Sequence, residues 1–248
     1  MGTTNVGFAF GLAVFACTFA SAQSFAVVSI RPSAGEVQFE HDGNTRTDPG
    51  YLRMRDVTVA TCIKWAYTVQ DSQISGPEWL QSEHFDIVAK ADEPVGNERM
   101  KLMMRTLLAD RFGLAFHRQG KTLRSYVMTV AKRGDKLHES ATDTPPFREN
   151  SAIGTVVRGT TMKDFADFMA GPLQAPVVDM TGLKGRYDFV LDFTAYLPPG
   201  EHVMKVEFED TTGIIIAAMR GELGLNLESK KENVEVIVVD RVEKPSAN

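Results

Sequence analysis

Thr58-Val-Ala-Thr-Cys-Ile-Lys-Trp-Ala-Tyr67 and Thr161-Met-Lys-Asp-Phe-Ala-Asp-Phe-Met-Ala170 are two versions of one segment, 103 positions apart. In the first, Val59, Cys62, Ile63, Ala66 and Tyr67 fall at i, i+3, i+4, i+7 and i+8, one stripe of a 3.6-residue period. In the second the stripe is Met162, Phe165, Ala166 and Met169. Each segment opens on a threonine, Thr58 or Thr161, whose hydroxyl can accept from the free N–H groups of a first helical turn. Asp164, three residues after Thr161, is placed to complete a capping box. Two equivalent amphipathic helices are predicted, and with them a duplicated chain.

The duplication extends outward from these helices. Phe85-Asp-Ile-Val-Ala-Lys90 matches Tyr187-Asp-Phe-Val-Leu-Asp192 as a short strand at an offset of 102. Each strand follows a turn region, Ser75-Gly-Pro77 or Thr181-Gly-Leu-Lys-Gly185. A second helix carries Met100, Met103, Met104, Leu107, Leu108 and Phe112, and ends at Gly113 as a left-handed cap. Its counterpart carries Ile215, Ala218, Met219 and Leu223 and ends at Gly224, an offset of 111, because the connection Thr194 to Asp210 is longer. A closing hairpin is expected in each half. Leu114–His117 would pair with Ser125–Val130, and Leu225–Glu228 with Val234–Val239, with Gly120, Lys231 and Asn233 at the turns.

The expected fold is therefore α+β: two tandem α-β-α-β-β units, with helices on one face of small mixed sheets. Phe25–Ile30 and Tyr51–Met54 are additional strands, and residues 32–50 a mobile loop. The boundaries are 1–22 for a signal peptide, 23–132 for the first unit, 133–150 for a linker and 151–248 for the second unit. The signal peptide is read from the uncharged run Val6–Ala20 and the small-x-small site Ala20-Ser21-Ala22, although Met1 to Asn5 carries no Lys or Arg. Cys17 offers lipidation as the alternative, with Phe15 a poor fit ahead of it. A periplasmic or secreted location follows. No later apolar stretch is long enough to span a bilayer.

Composition narrows the partners. The net charge is −5 and no basic stripe is present, which argues against nucleic acid. Cys62 is the cysteine left after cleavage; it lies on a helix's apolar face, so it reads as core and forms no internal disulfide. There is no Gly-x-Ser-x-Gly, no His-Glu-x-x-His, no cysteine pair at metal spacing and no Gly-rich phosphate loop, so nothing calls for a cofactor or metal. The histidines His41, His84, His117, His138 and His202 are scattered. His84 and Asp86 share one face of a strand, as a metal or acid/base pair would, and a solvated polar face explains them equally. Arg186 replaces His84 in the second copy. Asp86 and Asp188 recur, where a carboxylate can cap a helix or pair with arginine. Trp65, Tyr67 and Trp79 cluster in the first unit, with Trp79 beside Gly76-Pro77, either as a binding anchor or as the edge of the core. The candidate binding residues are thus Trp79, Trp65, Tyr67, Asp86 and Asp188.

Several stretches resemble a family of exported proteins of unknown function abundant in soil acidobacteria, the Solibacter type. They include Phe25-Ala-Val-Val-Ser-Ile-Arg-Pro32, Gln73-Ile-Ser-Gly-Pro-Glu-Trp-Leu80, Leu107-Leu-Ala-Asp-Arg-Phe-Gly-Leu114 and Val178-Asp-Met-Thr-Gly-Leu183. The resemblance brings no catalytic residues. Similar domains at the ends of membrane-bound sensor-type peptidases imply ligand sensing or protein contact. The repeat, from the helix after Val57-Thr58 to the Leu-Leu-Ala-Asp-Arg-Phe-Gly-Leu helix end, resembles the short N-terminal domain of secretins and TonB-dependent receptors, which implies periplasmic protein contacts. The expected function is a non-catalytic envelope module recognising a protein, peptide or cell-wall fragment, by strand addition at a sheet edge. The alternative is an exported hydrolase with an unfamiliar site between the units, using Asp86, His84 or His117.

Overall fold

In the computed structural model of the protein, which describes residues 24–34, 43–141, 146–151, 153–197 and 208–245, the two halves trace the same path. The first half runs β1 (Val27–Pro32), β2 (Asn44–Asp48), β3 (Tyr51–Thr58), α1 (Val59–Tyr67), β4 (Ile74–Ser75), β5 (His84–Lys90), α2 (Asn97–Phe112) and β6 (Ala115–Val130). The second repeats it as β7 (His138–Glu139), β8 (Phe147–Asn150), β9 (Gly154–Thr160), α3 (Met162–Leu173), β10 (Val177–Asp179), β11 (Tyr187–Asp192), α4 (Phe208–Glu222) and β12 (Leu225–Arg241). The fold is α+β. Residues 1–22, with Cys17, and the histidines His41 and His202 lie outside the described residues. β2 falls in the stretch read as a mobile loop, and β7 with β8 in the stretch read as a linker.

Each half builds an antiparallel outer sheet, β1-β5-β3-β2 in one and β7-β11-β9-β8 in the other. The third sheet, β10-β6-β12-β4, is shared and mixed, and it corrects the expected hairpins. β6 and β12 do not fold back. Each is one continuous strand, and the two pair antiparallel with each other from Leu225↔Val130 to Arg241↔Ala115. Gly120 is not at a turn. A Cβ there would sit 2.9 Å from Asn233 Oδ1, so glycine answers a close approach across the ladder. At the ladder's centre Thr122 faces Asn233, its own counterpart at the offset of 111. The two repeats are thus related by a pseudo-two-fold axis through this pair.

The exchange ties the two cores together. Ile237, near the end of the chain, is buried in the first core among Met54, Ile63, Met104 and Phe112. Met128, from the first half, is buried in the second core with Phe165, Met169, Leu191 and Met219. α1 packs on β3 of its outer sheet, α3 on β10 of the shared sheet, and α4 touches both β11 and β12. Cys62 is buried beside Met54.

Helix starts and stops follow the local chemistry. Thr58 Oγ1 accepts from Thr61 N at 3.1 Å, and Thr161 Oγ1 from Asp164 N at 3.1 Å. The Asp164 carboxylate takes the Thr161 hydroxyl at 2.7 Å instead of closing a capping box, since aspartate is one methylene shorter than the glutamate that reaches back to the cap N–H. Gly113 and Gly224 end α2 and α4 at φ 58° and 66°. Among the described residues no helix is long and apolar enough to cross a membrane.

Candidate functional site

Asp86 and Asp188 serve the backbone. In β3 the register slips between Met54 and Val57, so that Arg55 and Asp56 face Asp86 alone; in β9 the slip puts Arg158 and Gly159 opposite Asp188. The second bulge residue is left-handed in both, at φ 54° for Asp56 and 59° for Gly159. Its N–H donates to the carboxylate, 2.9 Å to Asp86 and 2.7 Å to Asp188. The Ser140 hydroxyl also donates to Asp188 and, ahead of the Gly159 N–H, holds that carboxyl below the usual range.

The residue two before each aspartate takes the bulge carbonyl. His84 Nδ1 lies 2.8 Å from Asp56 O, and Arg186 Nη1 donates to Gly159 O at 2.7 Å. A carbonyl only accepts, so Nδ1 of His84 carries the hydrogen. Histidine and arginine look unrelated in sequence and do the same work here. In the first unit this bulge opens on a cavity of about 640 Å³ lined by Ser33, Asp56, Glu83, His84 and Lys244. His117 is elsewhere, in the shared sheet, with Nδ1 2.8 Å from Asp240 Oδ1. Among the described residues no group of three or more His, Cys, Asp or Glu is placed to hold a metal.

The aromatic candidates separate. Tyr67 packs edge-to-face on Phe116 at 5.0 Å under the Arg105 guanidinium at 4.8 Å, and burial raises its phenol pKa. Trp79 sits on the 3-10 turn Glu78–Leu80, half-buried against the first core, with the Lys244 ammonium 5.9 Å from its ring centroid. Phe147, on the edge strand β8, is 46% exposed.

Trp65 is different. α1 and α3 face one another across a cleft of about 730 Å³. Lys64, Trp65, Thr68 and Asp71 line it from the first repeat; Asp167, Phe168, Gly171 and Gln174 line it from the second. Each of the latter stands 103 positions after its counterpart, so the cleft is built by equivalent residues of the two repeats. Their chemistry has diverged: base against acid, indole against phenyl, hydroxyl against hydrogen, carboxylate against amide. Trp65 and Phe168 are both half-buried, and the Arg148 guanidinium stacks 3.9 Å from the Phe168 ring centroid. Burial lowers the Arg148 pKa, opposed by Glu98 and Asp164.

Charges around the cleft are matched. Lys64 pairs with Asp71 at 2.9 Å, Lys101 with Glu98 at 2.8 Å, and Lys163 with Asp167 at 2.6 Å. Such a site offers two aromatic surfaces and a ring of hydroxyl, amide and ion-paired groups, the makeup of a small-ligand pocket at a unit interface. Phe168 went unnoticed in the sequence because it lies off the Met162–Phe165–Ala166–Met169 stripe. The signal was that Trp65 lies off its own stripe at the matching position.

Comparison with known proteins covers most of the duplicated region, leaving out β1–β3. No curated protein and no solved structure gives a match. The pattern of the family described as "Protein of unknown function (DUF3738)" matches residues 60–242, from within α1 to one residue past β12. The chain belongs to that family, DUF3738.

Proposed function

We propose that the protein is an exported module of the cell envelope that binds a peptide or cell-wall-derived ligand in the cleft between α1 and α3. One observation carries this: the pseudo-two-fold axis brings equivalent residues of the two repeats together, and there alone in the pairs described above they have diverged into an aromatic pair with a polar rim. At the bulges and at the ends of α2 and α4 the repeats keep equivalents at one task. Asp86 and Asp188 hold bulges, and Gly113 and Gly224 end helices. Duplication with divergence at the shared face is how a symmetric scaffold becomes an asymmetric receptor for a ligand that is itself asymmetric. The resemblance of the repeat's sequence to the short N-terminal domain of secretins and TonB-dependent receptors points the same way, as an analogy that does not establish function.

The test is amide chemical-shift mapping of residues 23–248 with soluble muropeptides and with short peptides. Saturable shifts confined to α1, α3 and the Thr45 and Gln70–Ser72 segments are expected, and they should vanish in Trp65→Ala. Shifts centred instead on Trp79 or on β8 would move the site to those surfaces. A second reading, an exported hydrolase, is favoured by the His84 cavity. Consumption of a muropeptide by wild type and not by His84→Gln would establish it.

A further inference from the structure

A separate cavity of about 750 Å³ opens where the turn after β6 docks on the C-terminal end of α4. Four cations line it: Lys132, Arg133, Lys136 and Arg220. The turn is held firmly. Ala131 N donates to Gly224 O at 2.8 Å, Gly134 N to Ala131 O at 2.9 Å and Lys136 N to Leu223 O at 2.9 Å, while Lys136 Nζ donates to Gly221 O. Lys136 is therefore committed to the helix end, where a cation meets the last carbonyls favourably.

The other three have no such task. Among the described residues Lys132, Arg133 and Arg220 have no carboxylate within ion-pair distance. The acids nearby are already engaged. Glu228, on the rim, pairs with Lys230 at 2.8 Å, and that contact holds its carboxyl below the usual range. Asp135 Oδ1 accepts Leu137 N at 3.2 Å, and Glu222 Oε1 accepts the Tyr196 hydroxyl at 2.8 Å. Gathering like charges at one concavity, on a chain of net charge −5, is unfavourable for the empty protein and raises the local concentration of anions.

The equivalent corner of the first repeat shows that the scaffold does not require a cation at the positions of Lys132 and Arg220. At the offset of 111, Lys132 corresponds to Glu243, Arg220 to Ala109 and Gly221 to Asp110, whereas Arg133 corresponds to another cation, Lys244. The same corner of the fold carries a mixed set of charges there, with acids at two of these positions.

We infer that this groove is an anion site for a ligand carrying a multiply charged phosphate group, held by the guanidinium forks of Arg133 and Arg220 with Lys132 as a point charge. Two arginines flanking one cavity suit the several oxygens of a phosphate, and paired hydrogen bonds from a guanidinium are stronger than neutral ones. The site is independent of the α1–α3 cleft.

Isothermal titration of residues 23–248 with inorganic pyrophosphate at low salt tests the assignment, with citrate as an anion of another class. One saturable site is expected, weakened at least tenfold in Arg133→Gln and in Arg220→Gln. Arg53→Gln removes the same charge from an exposed position on β3 and should leave the affinity unchanged. The arginines are exposed, so unchanged melting temperatures should accompany the loss, and Arg133→Gln alone decides the matter if Arg220→Gln perturbs α4. Absence of saturation would overturn the proposal. So would equal weakening by Arg53→Gln, which marks a net-charge effect, or citrate binding as tightly as pyrophosphate.

Discussion

Ile237 is eleven residues from the end of the chain and 1% exposed, and its side chain completes the core of the first repeat. Replacing it with alanine removes three carbons from a packed interior. The transfer term alone is about 2.4 kcal/mol, at about 0.8 kcal/mol per buried methylene. The residual cavity brings the total to about 3–4 kcal/mol. Both tryptophans, Trp65 and Trp79, lie in the first repeat and pack against that core. Urea unfolding followed by tryptophan emission therefore reports on the repeat that Ile237 does not belong to by sequence. With a slope of about 2–3 kcal/mol per molar, the midpoint should fall by about 1–2 M. If β12 folded back on itself as a local hairpin, Ile237 would sit in the second repeat. A tryptophan transition unmoved by Ile237→Ala, with the far-ultraviolet signal shifted, would refute the exchanged-strand arrangement.

Further outcomes follow from the same packing and from the bulges. Met128→Ala, in the second core, should lower the tryptophan-detected midpoint together with the circular-dichroism midpoint, because each long strand serves both cores. Asp56 holds a left-handed conformation that costs a non-glycine residue about 1 kcal/mol, so Asp56→Gly should leave stability unchanged or raise the melting temperature slightly. Gly159→Val should lower it clearly. The Asp188 carboxyl is held below its unfolded pKa near 4, so its contribution is complete above about pH 4 and is lost as pH falls through the lower folded value. The difference in unfolding free energy between wild type and Asp188→Asn should therefore shrink on acidification over that range. A difference independent of pH would show that the hydrogen bonds do not depend on the charge.

Periodicity revealed the helices, and repetition placed them. The stripes through Val59, Cys62 and Ala66 and through Phe165 and Met169 are buried as their spacing required, and the strands around Phe85 and Tyr187 form at the centres of the outer sheets. Pairing was not legible at β6 and β12. Residues 115–130 alternate as a strand whether they fold back or run on, and Gly120 looks the same at a turn as at a close approach to Asn233. Chain reversal needs a left-handed or tight-turn conformation that Gly120 does not adopt, and the local sequence does not disclose this. The cleft was half legible. Trp65 stood out as an aromatic residue, but Phe168 acquires meaning only once the two-fold relation puts it across from its counterpart. His84 and Arg186 share a role invisible to residue type, since any nitrogen donor of suitable length satisfies a bulge carbonyl.

The most direct test of the cleft uses Trp79→Phe, which leaves Trp65 as the sole tryptophan reporter. Emission is followed while a soluble muropeptide digest, fractionated by size, is titrated in. A saturable shift in Trp65 emission that disappears in the Trp79→Phe/Phe168→Ala double variant is the result the cleft requires. Binding detected by calorimetry with Trp65 emission unchanged, or a shift indifferent to Phe168→Ala, would place recognition elsewhere and contradict it.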